Sequence, residues 1–512
     1  MVMTKRAPAL FLLIAAHAVV LTFPAFCQAP AKVELNWSHV LRESRTSVSM
    51  EVCVEPPMRR GKPLHDRLFQ ALNQLAADHV RLSPWHPYPR LAVAELEAPR
   101  DGNTSWDFSL LDPIVADFMQ ATSGHSVDMN ISTIPEWMFK TTSPVAYPAD
   151  PDEITWSYEQ GTELRDPSLK EVADYWARVA SWYTQGGFRD EYGKWHASDH
   201  HYKFDYWEVL NEVEYEHDIT PEYYTAIYDA VVTELRKVAP GMKFIGMGLG
   251  PSGPLNTPHF FEYFLDPKNH KPGIPLDVIS YHFYAVPDPD ETPEVMSHTL
   301  YNQAEDFINV VRYIEVIRKR LSPTTATNIN EIGTILPNGR TADLTPNIAN
   351  SYWNLSGGLY AYLYGRLSEL GIDVLSEAEL IDYPGQYPGT TLVDWDTGKP
   401  NARYWVLKLL RENFSAGDKL VQSRFVSTEP GDQSSRRDYV FAQAFVTRDG
   451  KQRLLLVNKR DRVFDVAIPG GTGAHVEFVD QTTGFDPPRE STLQTDRVLL
   501  PGLAVAVVTL AK

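Results

Sequence analysis

Between residues 46 and 380 the apolar positions keep changing rhythm. Short runs such as TSVSMEVCV (46–54) and HVRLSPW (79–85) read as strands. Between such runs lie stretches in which apolar residues return every three or four positions. HDRLFQALNQLAA (65–77) sets Leu68, Leu72 and Leu75 on one helical face. FSLLDPIVADFMQAT (108–122), SLKEVADYWARVASWYTQ (168–185), EYYTAIYDAVVTELRKVAP (222–240), AEDFINVVRYIEVIRKRL (304–321) and the segment 352–370 are helical by the same criterion. The further strand runs are SVDMNIS (126–132), YWEVLNE (206–212), KFIGMGLG (243–250), LDVISYHFY (276–284), TATNINEIG (325–333) and IDVLSEAEL (372–380). Eight strands alternating with helices predict a parallel sheet, and this number of units fits an α/β fold, the (β/α)8 TIM barrel. An open doubly wound sheet is the alternative. It usually carries a glycine-rich phosphate loop after its first strand, whereas GMGLG (246–250) follows the fifth and lacks the GxGxxG spacing.

The last hundred residues change character. YVFAQAFVT, QRLLLVNK, VFDVAIP, AHVEFVD and RVLLPGLAVAVVTLA are short strands divided by turn residues, the pattern of a C-terminal antiparallel β-sandwich. The boundary is expected near Ser415–Asp418. The chain thus divides into 1–29, an N-terminal segment 30–45 whose KVELNW (32–37) joins the sandwich, a barrel over 46–414 and a sandwich over 415–512. Residues 1–29 read as a secretory signal: Lys5 and Arg6 precede an apolar run (7–26), with cleavage expected after Ala29. This predicts a secreted or periplasmic protein. A lipoprotein anchored at Cys27 would need a small residue where Phe26 stands. No later stretch of the mature chain is apolar enough to span a bilayer.

Composition narrows the partners. The chain of 512 residues has a net charge of −19, which argues against nucleic acid and anionic lipid. Aromatic residues make up 12%, a composition that suits sugar binding and large cores alike. Once Cys27 leaves with the signal, Cys53 has no intramolecular partner, and its strand context reads as a buried small hydrophobe.

Barrel chemistry sits at the C-terminal ends of the strands. Those ends offer Arg81, Asn130, Asn211–Glu212, His282, Tyr284, Glu331 and Glu377. A single acid at a strand end usually caps a helix or pairs in a loop. Two glutamates, Glu212 and Glu331, each preceded by asparagine and ending the fourth and seventh strands, suggest paired carboxylates across one pocket, as glycoside hydrolysis requires. Such chemistry implies no cofactor and no metal. Glu208 lies within its strand and reads as structural, while Glu214 and Glu216 read as rim charges. Arg81 fits either a carboxylate-orienting role or a structural ion pair. Trp85 and Trp137 lie in loops at the barrel mouth, where they stack on a sugar or simply pack.

The order of motifs resembles glycoside hydrolase family 39, the β-xylosidases and α-L-iduronidases, within the clan of retaining (β/α)8-barrel glycosidases. It runs WDFSLLDPIVADFM (106–119), IPEWM (134–138), DYWARVASWYTQ, YWEVLNE, VAPGMKFIGMGLGPSG, LDVISYHFY and NINEIGT, covering most of residues 65–415. The resemblance implies that Glu212 is the general acid/base and Glu331 the nucleophile. Asn211 would then hydrogen-bond the sugar 2-hydroxyl, with His282 and Tyr284 beside the nucleophile. Leu210 and Val213 replace the family's usual Trp and Pro around the Asn–Glu pair, and Ile332 replaces the aromatic residue after the nucleophile. These departures leave related activities open: α-L-arabinofuranosidase, β-glucuronidase and α-L-iduronidase. Two rivals have different chemistry. One is a metal-dependent hydrolase using the His-rich HASDHH (196–201). The other is a non-catalytic carbohydrate-binding protein on the same fold.

Overall fold

The computed structural model describes residues 31–131, 133–142, 147–155, 161–250, 258–288, 290–337, 348–427 and 439–511. The expected signal (1–29) and the PSG of the fifth-strand motif (251–253) lie outside them. Eight parallel strands close into a barrel in sequence order: Ser47–Cys53, His79–Ser83, Ser126–Met129, Tyr206–Val209, Lys243–Leu249, Val278–Ala285, Ala326–Thr334 and Val374–Glu377. The predicted (β/α)8 barrel is therefore the fold.

The helices form over the segments whose apolar residues recur every three or four positions. His65–Leu75 buries Leu68, Leu72 and Leu75 against the sheet. Pro221–Val238 and Pro293–Leu321 both start with proline, whose fixed φ suits the first turn, behind a threonine cap. The second is longer than its apolar rhythm suggested, because its first three turns carry polar residues among the buried ones.

Polar and apolar residues alternate along several strands even though both faces are buried. Val48, Met50 and Val52 pack outward on helices, while Ser49 and Glu51 point into the barrel. The register sets Glu51, Arg81 and Asp128 side by side on neighbouring strands. The interior is thus a hydrogen-bonded polar core rather than the branched aliphatic layers usual for this fold.

The C-terminal region forms a nine-stranded sheet. Its order runs Arg489–Thr492, His475–Val479, Val505–Thr509, Gln452–Asn458, Val440–Val446, Lys419–Ser427, Ala31–Glu43, Phe464–Ala467, Arg497–Leu500. All pairings are antiparallel except that of Ala31 and Lys32 with Val466 and Ala467. In the central strands Gln452–Asn458 and Val505–Thr509 both faces are buried. Leu454, Leu456, Val466, Val476 and Val508, from strands across the whole order, share one core, so the sheet curls into the two layers of a sandwich. The alternate residues Leu455, Val457, Val505 and Val507 join the core of the barrel. No helix among the described residues is long and apolar enough to cross a membrane.

Candidate active site

Two backbone irregularities aim the acids. In the seventh strand the register slips by one residue between Ile329 and Glu331. Such a bulge lets successive side chains face the same way. Asn330 and Glu331 both reach inward, to Glu208 and Arg81 respectively. After the fourth strand, Leu210 and Glu212 adopt left-handed backbone conformations with φ of 66° and 39°. Strain of this kind is retained where a fixed geometry is needed. The turn is pinned by Glu212 N–H donating to the Gly248 carbonyl at 2.7 Å. Beyond it the chain passes closely over the fifth strand: a Cβ on Gly250 would lie 2.5 Å from the Tyr215 ring, which would have to move aside for any larger residue.

These features bring Glu212 and Glu331 together across His282. The imidazole Nδ1 lies 2.9 Å from Glu212 Oε1 and 3.1 Å from Glu331 Oε2. One oxygen of each glutamate and one ring nitrogen all lie within 4.8 Å of one another. Tyr284 donates its hydroxyl to Glu331 Oε2 at 2.9 Å, and Arg81 Nη1 donates to Oε1 at 2.6 Å. Arg81 is almost wholly buried. It also reaches Glu51, donates to Glu208 Oε2 at 2.7 Å, and donates to Asn211 Oδ1 at 2.6 Å. Both of its sequence readings therefore coexist: it is an ion pair inside the barrel and it orients a carboxylate.

The environments divide the two acids. Burial alone would raise Glu331, but the positive charges of His282 and Arg81 and the hydrogen bonds from Arg81 and Tyr284 hold its carboxyl below the ordinary range. Glu212 accepts fewer such bonds. Burial pushes its carboxyl up by more than His282 draws it down, and the charge of Glu331 adds to the rise. For His282, burial opposes the charged form, but Glu331 and Glu212 prevail and raise it. One carboxyl is biased toward ionisation and its neighbour toward holding a proton.

The pair opens into a cavity of about 250 Å³ lined by Glu51, Cys53, Ser83, Trp85, Asn211, Glu212, Tyr215, Tyr284, Glu331, Ile335, Glu379, Tyr387 and Thr390. Six of the eight residues singled out from the sequence line it or lie directly behind it: Glu212, Glu331, Asn211, Tyr284 and Trp85 on the wall, His282 bridging the acids. Arg81 lies beneath, and Trp137 stands apart. Its indole N–H donates to the Glu95 carbonyl at 2.8 Å and Arg165 covers its ring at 4.5 Å. Glu216 is no rim charge: its side chain is only 5% exposed and accepts from Asn211 and Trp85. Cys53 is buried, as its strand context suggested, but it lines the cavity.

Glu51 and Glu379 were not singled out from the sequence, and Glu216 was expected at the rim. Glu51 had a signal, a charge inside an otherwise apolar strand. Glu216 had none beyond its distance of five residues from Asn211. HASDHH gathers no metal-like cluster among the described residues; His196 pairs with Asp190 at 2.8 Å and His200 with Asp112 at 3.4 Å.

No protein-family model matches the chain, and no curated protein is similar to it. Solved structures are similar in fold. A GH51 arabinofuranosidase from Xanthomonas axonopodis pv. citri is 13% identical with a TM-score of 0.64, covering 94% of this chain and 100% of its own. A conserved exported protein from Bacteroides fragilis is 11% identical with a TM-score of 0.63 and the same coverage. A GH30 endoxylanase from Clostridium papyrosolvens C71 is 12% identical, with a TM-score of 0.53 over 94% of this chain and 100% of its own. At such identities the likeness is one of fold: a (β/α)8 barrel carrying a β-sandwich.

Proposed function

We propose that this chain is an exported retaining glycoside hydrolase, with residues 46–414 as its catalytic barrel. What carries the reading is the approach of Glu212 and Glu331 within 4.8 Å with opposite biases. Carboxyls roughly 5–5.5 Å apart suit a double displacement, whereas inversion needs roughly 6.5–9.5 Å to admit a water. Ionised Glu331 attacks the anomeric carbon while Glu212 protonates the departing oxygen, which leaves a glycosyl ester on Glu331. Glu212, now a base, takes a proton from water. The water oxygen attacks the anomeric carbon, breaks the ester and restores Glu331.

The finer reading, a β-xylosidase of family 39, rests on the order of motifs. The pocket itself favours an uncharged sugar. Glu51, Glu212, Glu331 and Glu379 line it, and the described lining residues include no lysine or arginine. A uronate would bring a further anion beside ionised Glu331, with no cation on the lining to meet it. This places β-xylosides and α-L-arabinofuranosides ahead of β-glucuronides and α-L-iduronides.

The test is release of nitrophenol from aryl glycosides of these four classes by wild type and Glu331→Ala, with the configuration of the first product read by proton NMR. Cleavage of a neutral glycoside with retention, abolished in the variant, is expected. Inversion would sink the double displacement. Sugar binding without turnover would make the protein a lectin-like module.

A further inference from the structure

Glu216 ends the short helix Val213–Glu216, and its side chain is only 5% exposed. Its Oε1 accepts from Nδ2 of Asn211 at 3.0 Å and from Nε1 of Trp85 at 3.2 Å, with Nδ1 of His86 at 3.7 Å. Burial alone would raise the carboxyl, but the charges of His86 and His217 and the bond from Asn211 hold it below the ordinary range. It is therefore a charged acceptor, and hydrogen bonds to such groups are the strong ones.

Asn211 is gripped from both sides. Its Oδ1 accepts from Arg81 at 2.6 Å and its Nδ2 donates to Glu216. A flipped amide would set nitrogen against guanidinium and oxygen against carboxylate, so the two ionic partners fix one orientation. Nδ2 carries a second hydrogen. With the first committed to Glu216, the second is left for a group in the cavity that Asn211 lines. Trp85, on the same wall, is held by the same oxygen.

We propose that Glu216 is a positioning residue, which sets the Asn211 amide and the Trp85 indole for the sugar and so fixes the contact to the hydroxyl beside the anomeric carbon. This rests on the glycosidase reading. A contact that strengthens in the transition state loses rate when its donor is misaimed, even slightly.

The experiment compares Glu216→Leu, which cannot accept, with Glu216→Gln, which keeps an acceptor oxygen. Each is assayed on an aryl glycoside that wild type cleaves and on its 2-deoxy counterpart, with thermal unfolding run alongside. Glu216→Leu should lower kcat by ~10–100-fold on the 2-hydroxy substrate, with a smaller change in KM. On the 2-deoxy substrate the loss should be less than about threefold, since the contact no longer exists there. Glu216→Gln should recover most of the rate. Equal losses on both substrates would overturn the proposal, as would a Gln variant as slow as Leu. If Glu216→Leu does not fold, Glu216→Ala takes its place: a loss confined to the 2-hydroxy substrate supports the role, and an equal loss on both removes it. A wild type inactive on every glycoside would instead remove the glycosidase reading, and this role with it.

Discussion

Arg81 Nη1 lies 2.6 Å from Oε1 of Glu331, and the same nitrogen reaches Glu51. One guanidinium therefore faces the buried carboxyls of Glu51, Glu208 and Glu331, with Asp128 beside it. Burial and the charge of Glu331 raise Glu51 despite Arg81, and burial and the charge of Glu208 raise Asp128. Two acids of the polar core are thus biased toward the protonated form even beside the Arg81 cation.

Removing that cation should be severe. Arg81→Met leaves buried acids without their partner and is expected to cost about 3–5 kcal/mol of stability, read as a fall in the denaturant midpoint at pH 7. Arg81→Lys should recover only part, because an ammonium does not span the three directions of the guanidinium fork. An unchanged midpoint in the Met variant would show that the core does not depend on this residue.

Tyr284→Phe deletes one donor to Glu331 while leaving the cavity shape. A hydrogen bond to a charged group is worth about 1.5–3 kcal/mol, so kcat/KM should fall roughly 10–100-fold. The bond favours the ionised form, so its loss raises the Glu331 pKa. The acidic limb of the pH profile should therefore move to higher pH. A limb that stays in place would detach Tyr284 from the ionisation of Glu331.

Glu212, raised chiefly by burial, should supply the basic limb of that profile. Glu212→Gln is expected to flatten the limb. It should slow substrates with poor leaving groups far more than nitrophenyl glycosides, which need little protonation. Equal slowing of both would argue for another acid.

Glu95 is buried, and neither of its carboxyl oxygens has a hydrogen-bond partner among the described residues. Burial pushes it up to about 8. A carboxyl raised in the folded state stabilises fully below its unfolded pKa of 4.5, and that contribution fades as pH climbs to about 8. Glu95→Gln has no such dependence. Between pH 4.5 and 8.5 its melting temperature should gain a few degrees on wild type. Parallel melting curves at both pH values would mean Glu95 is already ionised in the fold.

His282, Glu212 and Glu331 also bring one potential metal-ligating atom each inside 4.8 Å. Two-carboxylate hydrolysis predicts that chelation leaves activity intact and that added zinc inhibits competitively. Activity lost to the chelator and restored by metal would replace the mechanism with metal-assisted hydrolysis.

The barrel was legible because its strands and helices keep separate periods and its turns fall between them. Glu212 and Glu331 were legible because strand ends are where this fold exposes side chains. The polar interior was not. The partnership of Glu51 with Arg81 follows from strand register, and register is set by barrel closure rather than by either segment. Glu216 resembles a loop acid until the turn at Glu212 folds it back under Asn211. Trp137 occupies a loop at the mouth, yet Glu95 and Arg165 claim its ring.

The strand Ala31–Glu43 pairs along its length with Lys419–Ser427. The ribosome makes that partner only after the entire barrel. A chain emerging amino end first must keep this strand unpaired meanwhile, its backbone donors and acceptors open to a strand from another copy. Zipping this seam is therefore a late event in assembly.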